Sequence, residues 1–203
     1  MALLSERDVR AWQGLADQVA LVVEARLRPS VAANRTLVTP AGVRRVPFST
    51  ELPRARRTAT RLAARYPVVI RTDVRSFYPS VTPSTIFVSL RDLSVERRTA
   101  RHVAGMLEGW GSEGYSGLPI GPPGSAVLGN VVLAGVDEEL EAWPSLRWVD
   151  DYVVGVADER LVPRVLETLD QALARRDLDR SIAKTSVLEQ RSGFVWPGTY
   201  GRP

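Results

Sequence analysis

The stretch PVVIRTDV, residues 67–74, decides the fold of this chain. Its β-branched run ends in an acid, Asp73, and this pattern is typical of a buried strand. Two further short apolar runs, residues 146–149 and 152–156, lie on either side of Asp150 and Asp151. That arrangement predicts a β-hairpin with both acids at its tip.

Helical patterns surround these strands. Ser5 and Asp8 form an N-cap pair before apolar residues at helical spacing, which predicts a helix that ends near Pro29. Four prolines favour loops or short strands over residues 29–53. Further helices are predicted over residues 54–65, 83–90, 95–110, 125–142 and 158–176, and a last strand over 185–188. Helices that alternate with strands, one pair of which forms a hairpin, indicate a mixed α+β fold.

The composition narrows the possible chemistry. The chain has 203 residues, no Cys and a single His, His102. This excludes a disulfide framework, a thiolate metal site, a Cys nucleophile and any site that needs two imidazoles. Residues 1–66 carry 12 Arg and 5 acids, a net +7, whereas the remainder carries 15 basic and 18 acidic residues, a net −3. A basic flank beside a body rich in carboxylates favours polyanion binding, although a solvated Arg-rich helix face would give the same count.

The adjacent acids Asp150 and Asp151 need a compensating charge, because they repel each other and lose hydration in an apolar segment. A divalent cation is the simplest compensator. With no Cys and one His, the available ligands are oxygens, which select Mg²⁺ or Mn²⁺. Two such ions about 3.5–4 Å apart support phosphoryl or nucleotidyl transfer. The dipeptide alone favours a solvated turn, because Asp is a turn residue.

Three segments resemble motifs A, B and C of reverse transcriptases, in the order in which that family carries them. They are RTDVRSFYPSV (71–81), GLPIGPPGSAVLGNVVL (117–133) and RWVDDYVVG (147–155), and LDRSIAKTSVLE (178–189) resembles motif D. Any one motif is weak, but three in order with matching flanks are specific. The amino-acid sequences of these motifs look most like those of bacterial abortive-infection and other defence-associated reverse transcriptases.

The resemblance implies a right-hand polymerase whose site lies in the palm, an antiparallel sheet with packed helices. Residues 1–66 would form a short, basic, fingers-like segment, and residues 67–203 would form the palm. We expect no helical thumb after motif D, although GFVWPG (193–198) resembles a worn primer-grip motif. A second protein chain or self-association would then supply the surface that holds nucleic acid.

The resemblance also implies the catalytic residues. Asp73 and Asp150 would ligate two Mg²⁺ or Mn²⁺ ions, Asp151 would complete the cluster, and the Val74 backbone carbonyl would be a further ligand. The ions would activate a primer 3′-hydroxyl and stabilise the leaving pyrophosphate. Lys184, the only Lys in the chain, would stand near the pyrophosphate as a charge stabiliser or proton donor.

Further residues would contact the nucleotide. Tyr78, five residues after the motif A acid, would be an aromatic gate that excludes a 2′-hydroxyl by steric clash. Gly117 and Gly121 would let the backbone pass close to template and nucleotide. Ile120 departs from the family's more common Gln. Arg45 belongs to the basic flank, which stands where the fingers of the family bind triphosphate and template.

These inferences predict a reverse-transcriptase-like nucleotidyltransferase that adds deoxynucleotides to a 3′-end, templated or untemplated, with RNA, DNA and dNTPs as partners. The resemblance favours a role in antiphage defence. Two alternatives stay open: a non-polymerising nucleic-acid-binding or assembly subunit, and an RNA polymerase or primase-like enzyme, against which Tyr78 argues. The N-terminus builds no apolar signal segment and no stretch is long enough to span a bilayer, so we expect a cytoplasmic protein without a membrane partner.

Overall fold

A four-stranded antiparallel sheet forms the centre of the computed structural model, which describes residues 4–189. Its strands are β3 (Val68–Asp73), β4 (Ser145–Trp148), β5 (Asp151–Val156) and β6 (Ser186–Glu189), in the spatial order β4-β5-β3-β6. A separate hairpin pairs β1 (Thr36–Thr39) with β2 (Gly42–Arg45). The register of β3 with β5 aligns Asp73 with Asp151, so two of the predicted catalytic acids end at the same edge of the sheet.

Helices cover both faces of this sheet. Within residues 4–189 they are α1 (Glu6–Arg26), α2 (Phe48–Arg65), α3 (Phe77–Ser80), α4 (Pro83–Asp92), α5 (Arg97–Ser112), α6 (Pro123–Glu139) and α7 (Val162–Ala174). Helix α2 covers one face, where its Ala55 and Ala59 are buried with Val69, Leu146 and Val153 of the strands. The small alanine side chains let the helix approach the sheet closely.

The opposite face of the sheet packs against α6 and α7. Val68 and Val154 form a cluster there with Val165 of α7. Among the helices of residues 4–189, α6 is the most enclosed, because 13 of its 17 residues are buried, and it packs along α1, α4 and α7. A helix that is apolar on nearly every side belongs in the core of the fold.

The structure confirms the strand that ends at Asp73, the hairpin that carries the acids and the N-cap at Ser5. The helix predicted over residues 54–65 is wrong at its start, since α2 begins at Phe48. Pro53 lies inside the helix on its exposed side and does not end it. Glu51 anchors this first part, because its buried carboxylate accepts hydrogen bonds from the backbone N–H groups of Asn34 and Arg35, just before β1.

The helix predicted over residues 158–176 also starts later than expected. Residues Glu159–Leu161 form a 3-10 turn, and α7 begins at Val162, with Pro163 in its first turn, where a missing N–H costs nothing. The domain boundary between residues 66 and 67 stays a prediction, and GFVWPG (193–198) lies outside the described residues. In the part of the chain that the structure describes, no helix combines the length and the apolarity that a membrane crossing requires.

Candidate active site

A cleft of about 680 Å³ opens between the sheet edge, the loop before β1 and the start of α2. Six of the residues that the sequence singles out line it: Arg45, Asp73, Tyr78, Ile120, Asp150 and Lys184. Val74 and Asp151 are buried beside it, and Gly117 and Gly121 belong to the loop that presents Ile120. Residues from distant parts of the chain therefore meet in one place, as the motif pattern predicts.

Asp73 closes β3 at the floor of the cleft and is 3% exposed. Its Oδ2 accepts a hydrogen bond from Lys184 Nζ at 2.6 Å. Its Oδ1 is buried without a hydrogen-bond partner. An unsatisfied carboxylate oxygen is costly in a low-dielectric site, so this atom is a candidate ligand for a cation.

The turn between β4 and β5 carries the other two acids. Val149 has a left-handed backbone with a φ of 59°, which is rare for a β-branched residue. The Asp150 carbonyl accepts a hydrogen bond from the Val74 N–H at 3.2 Å, which ties the turn to the end of β3. Burial, followed by the charges of Asp73 and Asp151, raises the pKa of the Asp150 carboxyl to about 6.

These acids fit a divalent cation by their chemistry, although their side chains do not converge into a three-ligand cluster. Among residues 4–189, no three His, Cys, Asp or Glu side chains form a group that could hold a metal ion. A cation would nevertheless satisfy the orphaned Asp73 Oδ1 and relieve the repulsion that raises the pKa of Asp150. The donors are all oxygens, which suit Mg²⁺ or Mn²⁺.

Lys184 contacts the acid at the end of β3 directly, while 66% of its side chain stays exposed. The hydrogen bond to Asp73 raises the pKa of the Lys184 ammonium. Backbone hydrogen bonds attach the segment that carries Lys184 to the same strand end: Ser181 N–H donates to the Asp73 carbonyl at 2.7 Å, and Arg75 N–H donates to the Asp179 carbonyl at 2.8 Å. The lysine is therefore positioned by main-chain contacts.

Tyr78 and Phe77 are adjacent aromatic residues with different environments. Phe77 is buried in the core, whereas Tyr78 lines the cleft. Their rings meet edge to face with centroids 5.3 Å apart. Burial raises the pKa of the Tyr78 hydroxyl, and the charge of Asp150 raises it further. Tyr78 is therefore the ring that can contact a ligand near the acids.

Gly117 holds its loop against the backbone of Tyr78. It has a φ of 67°, and a Cβ at this position would lie 2.1 Å from the Tyr78 carbonyl oxygen. The Leu118 N–H donates to the same oxygen at 2.8 Å. Gly121 has a φ of 115°, but a Cβ there would meet nothing within 4 Å. Between the two glycines, Ile120 is 74% exposed and forms part of the cleft wall.

Arg45 is the residue of the basic flank that reaches the cleft. Its guanidinium donates to Asn34 Oδ1 at 2.6 Å, which directs the side chain across the cleft entrance. Other exposed arginines of the basic flank lie outside the cleft wall, among them Arg44, Arg54, Arg56 and Arg57. The structure therefore separates one candidate phosphate ligand from the general basic surface.

Sequence reasoning missed the role of Arg147, which lies behind the acidic turn. Arg147 is 2% exposed, and its guanidinium pairs with Asp137 and donates to the Val149 carbonyl. Trp148 is buried and meets Phe48 of α2 edge to face, with centroids 5.4 Å apart. The available signal was an Arg inside the apolar run LRWV, because a charge in a buried strand has to be paired.

The sheet, the enclosed α6 and the acids at the sheet edge define the class of protein as a polymerase palm. Residues 23–200 match the family model described as "Reverse transcriptase (RNA-dependent DNA polymerase)". The chain belongs to this reverse transcriptase family, which is a family of polymerases and nucleotidyltransferases. No match is found among curated proteins.

Solved structures share the fold, among them two telomerases. Apo telomerase from Candida tropicalis superposes with a TM-score of 0.58 at 12% sequence identity, over 89% of this chain and 37% of that one. Telomerase from Candida albicans, in complex with a TWJ fragment of telomeric RNA, gives a TM-score of 0.52 at 13% identity, over 87% and 34%. At this identity the likeness shows the fold alone, and the chain spans little more than a third of either structure.

Proposed function

We propose that the protein is a reverse-transcriptase-like nucleotidyltransferase that adds deoxynucleotides to a 3′-end. One observation carries the proposal: in a chain of this family, Asp73, Asp150, Tyr78 and Lys184 line a single cleft, with Asp151 in register beside Asp73. Acids from two strands can hold the metal ions of nucleotidyl transfer, a cation can stabilise the phosphate charge, and the ring can select the sugar.

Each residue has a role that follows from its position. Asp73, Asp150, Asp151 and the Val74 carbonyl would hold two Mg²⁺ or Mn²⁺ ions, which supply activation of a 3′-hydroxyl and neutralisation of the leaving pyrophosphate. Lys184 offers an exposed ammonium beside Asp73, where it can donate a proton or a hydrogen bond to a phosphate oxygen. Arg45 offers a guanidinium at the cleft entrance for the triphosphate.

The test is incorporation by the purified full chain with Mg²⁺ or Mn²⁺ and labelled dNTPs. Each dNTP alone and the mixture are offered with RNA and DNA primer–templates and with primer lacking a template, which separates copying from tailing. We expect incorporation by the wild type and its loss in Asp150→Asn. Asp92→Asn is the matched control, because Asp92 is an exposed acid outside the cleft.

Silence of the wild type on every substrate, with the protein folded and the metal present, would contradict the enzymatic proposal. So would incorporation that survives in both Asp150→Asn and Asp73→Asn.

A protein partner is part of the same proposal. A second protein chain or another copy of this one contributes surface that holds the nucleic acid. Incorporation that rises with protein concentration beyond linearity would support self-association.

A second candidate is a non-polymerising nucleic-acid-binding subunit. The pairing of Lys184 with Asp73 favours it, because the ammonium already neutralises part of the charge of this carboxylate. Among residues 4–189, moreover, no three His, Cys, Asp or Glu side chains form a group that could hold a metal ion. The exposed arginines of α2 would bind phosphates by charge. Salt-dependent binding of labelled single strands without incorporation would select this candidate.

We place the biological context in antiphage defence and the protein in the cytoplasm. The support is the resemblance of FYPSV and of the Ile120 loop to defence-associated reverse transcriptases. The test compares plaque formation on cells that express the wild type, Asp150→Asn or no protein. Protection by the wild type alone supports the context, and equal plaque numbers across a broad phage set oppose it.

A further inference from the structure

We infer that Arg147 is a positioning residue: its buried guanidinium fixes the turn that carries Asp150 and Asp151. The inference rests on the proposed function and deepens it, because it names what holds the acidic turn in place. Arg147 lies on β4, three residues before Asp150, and its side chain points away from the cleft, toward α6.

The guanidinium makes a dense set of contacts. Its Nε donates to both carboxylate oxygens of Asp137 at 2.9 and 3.0 Å, and its Nη2 donates to Oδ2 at 2.7 Å. Its Nη1 donates to Asn130 Oδ1 at 2.9 Å and to the Val149 carbonyl at 2.7 Å. The side chains of Arg147 and Asp137 are 1% and 4% exposed. A guanidinium that is hydrogen-bonded through all three of its nitrogen atoms has little freedom to move.

The hydrogen bond to the Val149 carbonyl acts at the strained point of the turn. Val149 keeps a φ of 59°, and such a conformation persists in a β-branched residue only where the surroundings over-determine it. Arg147 supplies that constraint from one side, and the Val74 N–H, which donates to the Asp150 carbonyl at 3.2 Å, supplies it from the other.

The same residue is anchored to a second segment, which gives the turn a fixed reference. The Arg147 N–H donates to the Ser30 carbonyl at 3.0 Å, and its carbonyl accepts from the Ala32 N–H at 2.9 Å. Asn130, which accepts from Arg147, donates to the Asn34 carbonyl at 3.1 Å. Asn34 in turn holds Arg45 in the cleft wall. The acids and the arginine at the entrance thus share one buried support.

A contribution to stability alone does not explain the Arg147–Asp137 pair, because apolar residues can often replace a buried ion pair without loss of stability. Replacing both residues together therefore tests whether the pair positions the turn. In the full chain, Arg147→Met/Asp137→Val removes both charges together and leaves neither partner unpaired as a charge. The control is Arg175→Met/Glu139→Val, which removes an exposed pair whose acid lies on the same helix α6, two residues further on.

Two readouts apply, neither of which needs turnover. We expect the Val74 amide to exchange with solvent at least about tenfold faster in Arg147→Met/Asp137→Val, while the Ile70 amide in the middle of β3 keeps its protection. We expect Mn²⁺ affinity, measured by electron paramagnetic resonance titration, to fall by about 10- to 100-fold, as for other groups that orient metal ligands. The control pair should change neither quantity.

A folded Arg147→Met/Asp137→Val variant with wild-type protection at Val74, or with wild-type Mn²⁺ affinity, would overturn the inference. Should this variant not fold, Arg147→Lys decides by the same readouts, because it keeps the charge near Asp137 and loses the fork that reaches Val149. Failure of the proposed function looks different: the wild type itself then binds no Mn²⁺ and incorporates nothing, while amide exchange still decides whether Arg147 holds the turn.

Discussion

Lys184 Nζ lies 2.6 Å from Asp73 Oδ2, although 111 residues separate the two in the chain. The ammonium and a divalent cation would both be drawn to this carboxylate. Its other oxygen, Oδ1, is buried and has no hydrogen-bond partner. Lys184 and a metal ion would therefore compete for Asp73, while the exposed side of the ammonium keeps donors for a phosphate.

The first prediction concerns this competition. Lys184→Met should strengthen Mn²⁺ binding in the absence of nucleotide by about three- to tenfold, because it removes a positive charge beside the ligand oxygen. The same change should lower the rate of nucleotide incorporation, since the phosphate loses its proton donor. Isothermal titration with Mn²⁺ and single-turnover incorporation measure the two effects.

Arg175→Met is the control for the lysine substitution, because it removes a cation far from the cleft. It should leave both Mn²⁺ affinity and incorporation unchanged. Weaker Mn²⁺ binding by Lys184→Met would contradict the competition and would mean that Lys184 instead holds Asp73 in its ligating position.

The second prediction concerns the pH dependence of metal-free stability. The folded state raises the pKa of Asp150 from 3.8 to about 6, so the native protein holds this proton more tightly than the unfolded chain. This contribution is fully present below the unfolded pKa and is lost as the pH rises through about 6. The loss amounts to on the order of 2–3 kcal/mol of unfolding free energy.

Urea denaturation in EDTA between pH 4 and 7.5 measures this dependence. Asp150→Asn lacks the titrating group and should lose that share of the slope, while the other carboxylates act equally in both proteins. Parallel stability curves for the wild type and Asp150→Asn would show that Asp150 does not carry the raised pKa.

The third prediction separates two glycines of one loop. Gly117→Ala should destabilise the protein by roughly 3–5 kcal/mol, because left-handed strain adds to a clash with the Tyr78 carbonyl, 2.1 Å from the new Cβ. Gly121→Ala should cost only about 1–2 kcal/mol, since it carries the strain without the clash. Chemical denaturation measures both, and equal costs would refute the role of Gly117 in holding Tyr78.

The sequence predicts the local elements of this site and misses their long-range partners. The β-branched run before Asp73 and the apolar runs around the two adjacent acids depend on neighbouring residues, so strand and hairpin are both recovered. The pairing of Lys184 with Asp73 depends on how the sheet and the later segment come together, and no local spacing encodes it. The resemblance placed both residues in one site without predicting their contact.

Two misses have specific physical causes. Pro53 favours a loop up to residue 53, but its ring faces solvent. The buried Glu51 accepts hydrogen bonds from the backbone N–H groups of Asn34 and Arg35, so α2 starts at Phe48. In the sequence, Arg147 is only a residue next to the acidic motif. In the structure it pairs with Asp137 of α6, which is ten residues away along the chain. Burial of a charge is visible only when its partner is known.

The fourth prediction concerns sugar selection. Tyr78→Ala should reduce the preference for dNTPs over rNTPs by about tenfold or more, because the ring that would clash with a 2′-hydroxyl is gone. Tyr78→Phe keeps the ring and should keep the preference. Competition between labelled dNTP and rNTP on one primer measures the ratio, and an unchanged ratio in Tyr78→Ala would remove the gate assignment.

The fifth prediction compares two neighbouring arginines of β2. Arg45 lines the cleft and bonds to Asn34, while Arg44 is exposed outside the cleft wall. Successive strand residues point to opposite sides, so the two side chains make a matched pair.

Arg45→Ala should raise the KM for dNTP by roughly tenfold and change kcat less, because it removes a charged hydrogen bond to the triphosphate. Arg44→Ala should leave KM for dNTP unchanged and weaken only salt-sensitive nucleic-acid binding. An equal rise in KM for both variants would contradict a specific contact between Arg45 and the triphosphate. It would mean that the basic flank attracts the nucleotide only by its overall charge.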